Sequence, residues 1–92
     1  MFPEKQFELF VTPEAFDYLT KGEIILLRHL IKCRLIKEIA TIEHTSWRTK
    51  SNALSTLEIK LNCHDKSFII VRAIEFGFVS IRKPEHEFFT NR

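Results

Sequence analysis

The stretch that decides the fold is Ser67-Phe68-Ile69-Ile70-Val71-Arg72-Ala73-Ile74-Glu75. Its apolar residues are nearly continuous, and several of them are β-branched, which is typical of a central strand that is covered on both faces. A turn-like break at Cys63–Lys66 precedes this stretch, and Gly77 marks a turn after it. We therefore predict a buried strand from Ser67 to Glu75.

Two further strands are predicted on either side of this one. Residues Leu57–Asn62 alternate strictly between apolar and polar, which is the period of a half-buried strand. Residues Phe78–Arg82 follow Gly77, and Pro84 stops them. Since tight turns separate the three segments, we expect them to form an antiparallel meander.

The N-terminal half begins with a predicted strand, Phe7–Val11, in which apolar residues alternate around Glu8. A first helix is predicted after Thr12, which is suited to the cap position, with an end at Lys21-Gly22. A second helix is predicted from Glu23, because an apolar stripe runs along it, with an end between Arg34 and Glu38. Only a short turn separates the two helices, so we expect an antiparallel helical hairpin.

These elements predict one α+β domain over residues 1–92. The N-terminal strand precedes the two-helix hairpin, the three-stranded antiparallel meander follows, and the helices pack on one face of the sheet. Residues Ala40–Ala53 have no clear period and are rich in Thr and Ser, so they are predicted to be a long connection. The place of the first strand in the sheet is left open.

Composition gives weaker indications. The formal net charge is +2, from 14 basic and 12 acidic side chains, which is a small excess for a nucleic-acid-binding protein. The N-terminus lacks the pattern of a signal peptide, and no apolar run is long enough to cross a membrane, so we expect a cytoplasmic protein with reduced thiols at Cys33 and Cys63. His and Cys residues show no metal-ligand spacing, and we predict neither a metal nor another cofactor.

The element order and some residues resemble the RelE/ParE superfamily of toxin–antitoxin toxins, particularly its HigB-like and YafQ-like branches. The resemblance is carried by the segments Phe7–Ala15, Leu57–Leu61, Phe68–Ile74, Phe78–Arg82 and His86–Phe89. Members of that family cleave mRNA without metal, usually on the ribosome, and an antitoxin protein neutralises them. The resemblance therefore implies a metal-independent endoribonuclease whose partners are an antitoxin, mRNA and the ribosome.

A set of site residues follows from the resemblance and from residue chemistry. His86 is the candidate acid or base, because imidazole titrates near neutrality, and Arg82 is the candidate clamp for the phosphate. Trp47 and Arg48 are suited to stacking on a nucleotide. The predicted RNA-binding residues are Lys83, Arg48, Trp47, Arg72 and Phe89.

Two other functions were weighed against cleavage of RNA. The near-balanced charge, and Phe68-Ile69 where the toxin family usually has an arginine, favour a non-enzymatic protein-binding module. Examples of such a module are an immunity protein, a phage-encoded inhibitor or a degenerate toxin relative. A sequence-specific DNA-binding protein is the least favoured, because neither predicted helix presents a basic, polar recognition face.

Overall fold

Helices make up most of residues 8–82, the part of the chain that this computed structural model describes. The elements in chain order are strand β1 (Glu8–Val11), a 3-10 helix (Pro13–Asp17), helices α1 (Lys21–Ile31), α2 (Ile36–Ile42) and α3 (Trp47–Lys60), a 3-10 helix (Lys66–Phe68), helix α4 (Ile69–Glu75) and strand β2 (Val79–Arg82). None of these helices combines the length and the apolar character needed to cross a membrane.

The predicted fold, a helical hairpin on a three-stranded meander, is wrong. Residues Leu57–Asn62 belong to α3 and the turn after it, and Ser67–Glu75 form part of a 3-10 helix and α4. Over residues 8–82 the sheet consists of β1 and β2 alone, paired antiparallel from Glu8 opposite Arg82 to Val11 opposite Val79. The first strand therefore lies beside the last one.

The second half of α3 shows why alternation misled the prediction. Leu57 and Leu61 are fully buried, whereas Ile59 between them is 78% exposed. Residues four apart share a face in a helix and also in a strand, so Leu57 and Leu61 satisfy both periods. Only Ile59 distinguishes the two, and its outward position fits the helix alone.

Helix α4 replaces the predicted central strand. Ile69 and Ala73, one helical turn apart, are fully buried, while Val71 and Ile74 are exposed. The prediction assumed that a continuous apolar run is buried on all sides. Apolar residues are also common on protein surfaces, so the run did not require a covered strand.

Each of α1 to α4 ends in the same backbone motif. The residue after the cap has a positive φ, and these residues are Cys33 (62°), His44 (56°), Asn62 (55°) and Gly77 (84°). After α2, for example, the N–H of Thr45 donates to the carbonyl of Ala40 at 2.9 Å, as in a Schellman motif. Three of the four positions hold a residue other than glycine, so the usual sequence signal for a helix end is missing there.

The start of α1 also differs from the prediction. Thr20 caps this helix: its hydroxyl accepts from the N–H of Glu23 at 3.2 Å, and Glu23 accepts from the N–H of Thr20 at 2.9 Å. The hydroxyl of Thr12, predicted to cap the first helix, instead donates to the carbonyl of Gly77 at 2.6 Å. The predicted first helix is therefore only the 3-10 stretch Pro13–Asp17, and Gly22 lies in the first turn of α1.

A single core joins the helices and the β1–β2 ribbon. Helix α1 packs against α3, α4 and β1, and α2 packs against α3. The largest fully buried side chains come from all four helices, the end of α3 and β2: Leu26, Leu27, Ile39, Leu57, Leu61, Ile69 and Val79. The ribbon completes one side of a helical cluster, and α3 is held between α1 and α2.

Candidate nucleic-acid interface

Helices α2 and α3 form a helix-turn-helix. Helix α2 ends at Ile42, and a four-residue turn, 43–46, leads to Trp47 at the start of α3. The two helices pack on each other, with Ile39 of α2 and Leu57 of α3 in the common core. Two helices joined by a turn of this length are the supersecondary unit with which many proteins enter the major groove of DNA.

Local hydrogen bonds define the turn between these helices. His44 adopts a left-handed backbone conformation, which reverses the chain direction at the end of α2. The side chain of Ser46 then accepts from the N–H of Thr49 at 3.1 Å and begins α3. The predicted long connection Ala40–Ala53 is thus wrong: it contains the end of α2, the turn and the first half of α3.

From Arg48 to Thr56 the outward face of α3 is polar and contains no acid, and exposed Ile59 follows in the last turn. Arg48 and Asn52, four residues apart, are both exposed, and exposed Ser55 and Thr56 continue the same side of the helix. No Asp or Glu occurs in the sequence between Glu43 and Glu58. A face of this kind offers hydrogen bonds without repelling phosphate groups.

A charged network behind α3 holds the turn against α1. Nε2 of buried His29 lies 2.8 Å from Oε2 of Glu43, and Nη1 of Arg34 donates to Nδ1 of His29 at 2.9 Å. Because Nδ1 accepts, the ring proton is on Nε2, which donates to Glu43. Nζ of Lys50 lies 3.9 Å from Oε1 of the same carboxylate. The hydrogen bond from His29 lowers the pKa of Glu43, and the charge of Lys50 adds to this effect.

A second ion pair holds the far end of α3. Glu23 of α1 is 3% exposed, and its Oε1 accepts from Nζ of Lys60 at 2.8 Å. Burial raises the pKa of Glu23, but the hydrogen bonds from Lys60 and Thr20 and the charge of Lys60 outweigh it, so the net pKa is lowered. Helix α3 is therefore fixed to α1 at both ends, and its polar face is held in one orientation.

Two predicted RNA-binding residues, Trp47 and Arg48, lie next to each other in the first turn of α3. Trp47 is 56% exposed, and Arg48 is also exposed. The structure therefore places both at the N-terminal end of α3, where Arg48 lies on the polar face and Trp47 points about 100° away from it. Because these two residues are adjacent in the sequence, they were predicted to contact a nucleotide, although the helix that carries them was not predicted.

Arg72 and Arg82 lie on other elements, and both are hydrogen-bonded to groups of this same chain. Arg72 donates from Nε to the carbonyl of Leu61 at 3.0 Å and from Nη1 to Glu75 at 2.7 Å, so it satisfies the end of α3. Arg82, at the end of β2, donates from Nε to Glu8 at 3.2 Å across the ribbon.

Three predicted site residues, His86, Lys83 and Phe89, lie outside the described residues. Their roles, including the convergence of His86 with Arg82, stay predictions. Within residues 8–82, no group of three His, Cys, Asp or Glu side chains is arranged to hold a metal ion.

Sequence reasoning missed Asn52, Ser55 and Thr56 as members of a common face. A signal for α3 was present. Ser46 precedes a series of apolar residues at helical spacing, namely Ala53, Leu54, Leu57 and Leu61. Reading Leu57–Leu61 as a strand removed the last two members of that series and left the rest without a period.

Comparison of the chain with protein-family models, curated proteins and solved structures found no match.

Proposed function

We propose that this protein binds double-stranded DNA and inserts α3 into the major groove. One observation carries the proposal: the second helix of a helix-turn-helix presents an exposed, polar, acid-free face that begins with Arg48. An α-helix with its side chains is about 10–12 Å across, and the major groove is about 12 Å wide, so the helix fits the groove.

The surroundings of α3 support the same function. In a DNA-bound helix-turn-helix the first helix crosses the sugar–phosphate backbone. Here the first helix is α2, and its exposed Lys37 is available for a phosphate. Lys50 is 9% exposed and directed to Glu43, so it stabilises the turn rather than serving as a contact.

The sequence argued against DNA binding for a reason that no longer holds. Neither predicted helix had a basic, polar face, but α3 was not among the predicted helices.

Cleavage of mRNA by His86 and Arg82, with an antitoxin as partner, stays a prediction from sequence. So does a non-enzymatic protein-binding role. The toxin resemblance was carried by five segments, and two of these, Leu57–Leu61 and Phe68–Ile74, were matched to strands of that family but are largely helical. We infer a cytoplasmic location, since the exposed free thiol of Cys33 suits a reducing compartment.

The test is a titration of a labelled mixed-sequence DNA duplex with the full chain at several salt concentrations. Fluorescence anisotropy of the duplex measures binding. We expect saturable binding that weakens as salt increases, with a Kd of about 10⁻⁴–10⁻⁶ M for unselected sequence at physiological salt. Arg48→Ala should weaken binding by about tenfold.

The matched control is Lys21→Ala. It removes one exposed positive charge from the first turn of α1. That turn lies beside the C-terminal end of α3, because Glu23 binds Lys60 there, whereas Arg48 lies at the N-terminal end of α3. We expect less than a twofold change in Kd for this variant. Absence of duplex binding, together with cleavage of RNA that His86→Ala abolishes, would overturn the proposal in favour of the ribonuclease.

A further inference from the structure

We infer that Arg48 and Asn52 are the base-reading residues of α3, and that the protein selects duplexes that present a guanine and an adenine to them in the major groove. This inference rests on the proposed function and adds a sequence preference to it.

Exposure and spacing identify the pair. Arg48 and Asn52 are four residues apart, so they lie one above the other on the outward face of α3. Within residues 8–82, neither side chain forms a hydrogen bond or an ion pair. The polar groups of both are therefore available to a ligand without breaking a contact among the described residues.

The other exposed polar side chains of α3, Thr49, Ser55 and Thr56, are bonded within the helix or to its cap. The hydroxyl of Ser55 donates to the carbonyl of Ser51 at 3.2 Å, and that of Thr56 donates to the carbonyl of Asn52 at 3.1 Å. Thr49 shares a hydrogen bond of 2.9 Å with the capping hydroxyl of Ser46. These three hydroxyls have internal partners, so the guanidinium of Arg48 and the amide of Asn52 are the exposed polar groups of α3 that have none among residues 8–82.

The chemistry of these two groups determines the bases. The guanidinium of Arg48 carries parallel donors, which match O6 and N7 of guanine. The amide of Asn52 can donate an N–H to N7 of adenine while its carbonyl oxygen accepts from the N6 amino group. Two purine contacts with two hydrogen bonds each are expected.

The helix geometry sets the distance between the two bases. Four residues of an α-helix span about 6 Å, and successive base pairs are about 3.4 Å apart. The guanine and the adenine should therefore be separated by about two base-pair steps.

The test is selection of bound duplexes from a randomised DNA pool by the full chain, with sequencing of the bound fraction. We expect enrichment of a guanine at one position and an adenine about two positions away. Arg48→Ala should remove the preference for guanine alone, and Asn52→Ala the preference for adenine alone. Each should weaken binding of the selected duplex about tenfold more than it weakens binding of an unselected duplex.

Lys21→Ala is the matched control, because it removes an exposed side chain of α1 that lies outside the polar face of α3. It should leave both preferences unchanged. Circular dichroism of each variant checks that the helices are retained.

Three outcomes are distinguishable. Salt-dependent duplex binding without any enriched motif, or a motif that both variants leave intact, overturns this inference and leaves the proposed function standing. Loss of the base preferences one at a time supports the inference. Absence of duplex binding by the unmodified chain overturns both.

Discussion

Glu43 and Glu23 are the two carboxylates that fix the ends of α3. Glu43 accepts from His29 beside the turn, and Glu23 accepts from Lys60 at the last turn of the helix. Each has a lowered pKa, so each is more strongly stabilised in its charged form in the folded protein than in the unfolded chain. The free energy of unfolding must therefore depend on pH.

We expect this free energy to be highest above the ordinary glutamate pKa of 4.5 and to fall as pH decreases from about 5 through the lowered values. In that range the unfolded chain takes up protons before the folded protein does. Urea unfolding followed by circular dichroism between pH 7 and 3 measures the effect. Glu43→Gln should be less stable at pH 7 and less sensitive to acid, whereas Glu14→Gln, in the exposed first 3-10 turn, should keep the parent slope.

Ser46 is a further residue on which α3 depends. Its hydroxyl accepts from the N–H of Thr49, so Ser46→Ala leaves a helical N–H without this partner and should cost about 1 kcal/mol of stability. Thermal or urea unfolding measures the loss. Ser55→Ala serves as the comparison, since a serine within a helix contributes little. Equal stability of the two variants would contradict the assignment of Ser46 as the cap.

At the scale of elements, the ends of the helices carry a conformational cost that a single substitution can relieve. Cys33 follows α1 with a φ of 62°, where a side chain is disfavoured. Cys33→Gly should raise the free energy of unfolding by about 1 kcal/mol, because glycine adopts this conformation without steric cost. Cys33→Ala keeps the steric cost and should change the stability little. Stabilisation by both variants would mean that the thiol, and not the backbone, is responsible.

The elements that sequence predicted best are those whose pattern is long or flanked by clear signals. The apolar stripe of α1 and the two strands Glu8–Val11 and Val79–Arg82 were recognised within a few residues. Helix α3 was missed because the six alternating residues Leu57–Asn62 fit two periods, and because Asn62 rather than glycine follows its end. Helix α4 was missed because its continuous apolar run was interpreted as a covered strand. A short pattern cannot decide between periods that coincide every fourth residue.

The candidate site was predicted only in part. Trp47 and Arg48 were singled out as nucleotide-binding from their chemistry, and both are exposed in the first turn of α3, with Arg48 on its polar face. Asn52 was not, because its relation to Arg48 exists only once the segment is helical. The polar face of α3 points outward because α2 packs on the opposite side of the helix. That packing depends on contacts between residues far apart in the sequence, which a short sequence segment does not show.

At the scale of the whole molecule, the ribbon and the helices share one core, so they should unfold together. Val79 of β2 is buried among helical residues, and Val79→Ala should lower the free energy of unfolding by about 2 kcal/mol. In each protein we expect the fluorescence of Trp47, the single tryptophan, and the far-ultraviolet circular dichroism to give one common urea midpoint, which should be lower in the variant than in the parent. A Trp47 midpoint that is unaffected by Val79→Ala would show that the ribbon unfolds separately.

The pairing of β1 with β2 has a practical consequence for protein engineering. Glu8 and Arg82 face each other across the ribbon, so the Cα atoms at the two ends of the described segment should be only about 5 Å apart. A segment whose entry and exit are neighbours can be spliced into a surface hairpin of a host enzyme without stretching the host backbone. The part of the chain between the paired strands is thus suited to insertion into a host protein, which would carry α3 along in the orientation that α1 and α2 give it.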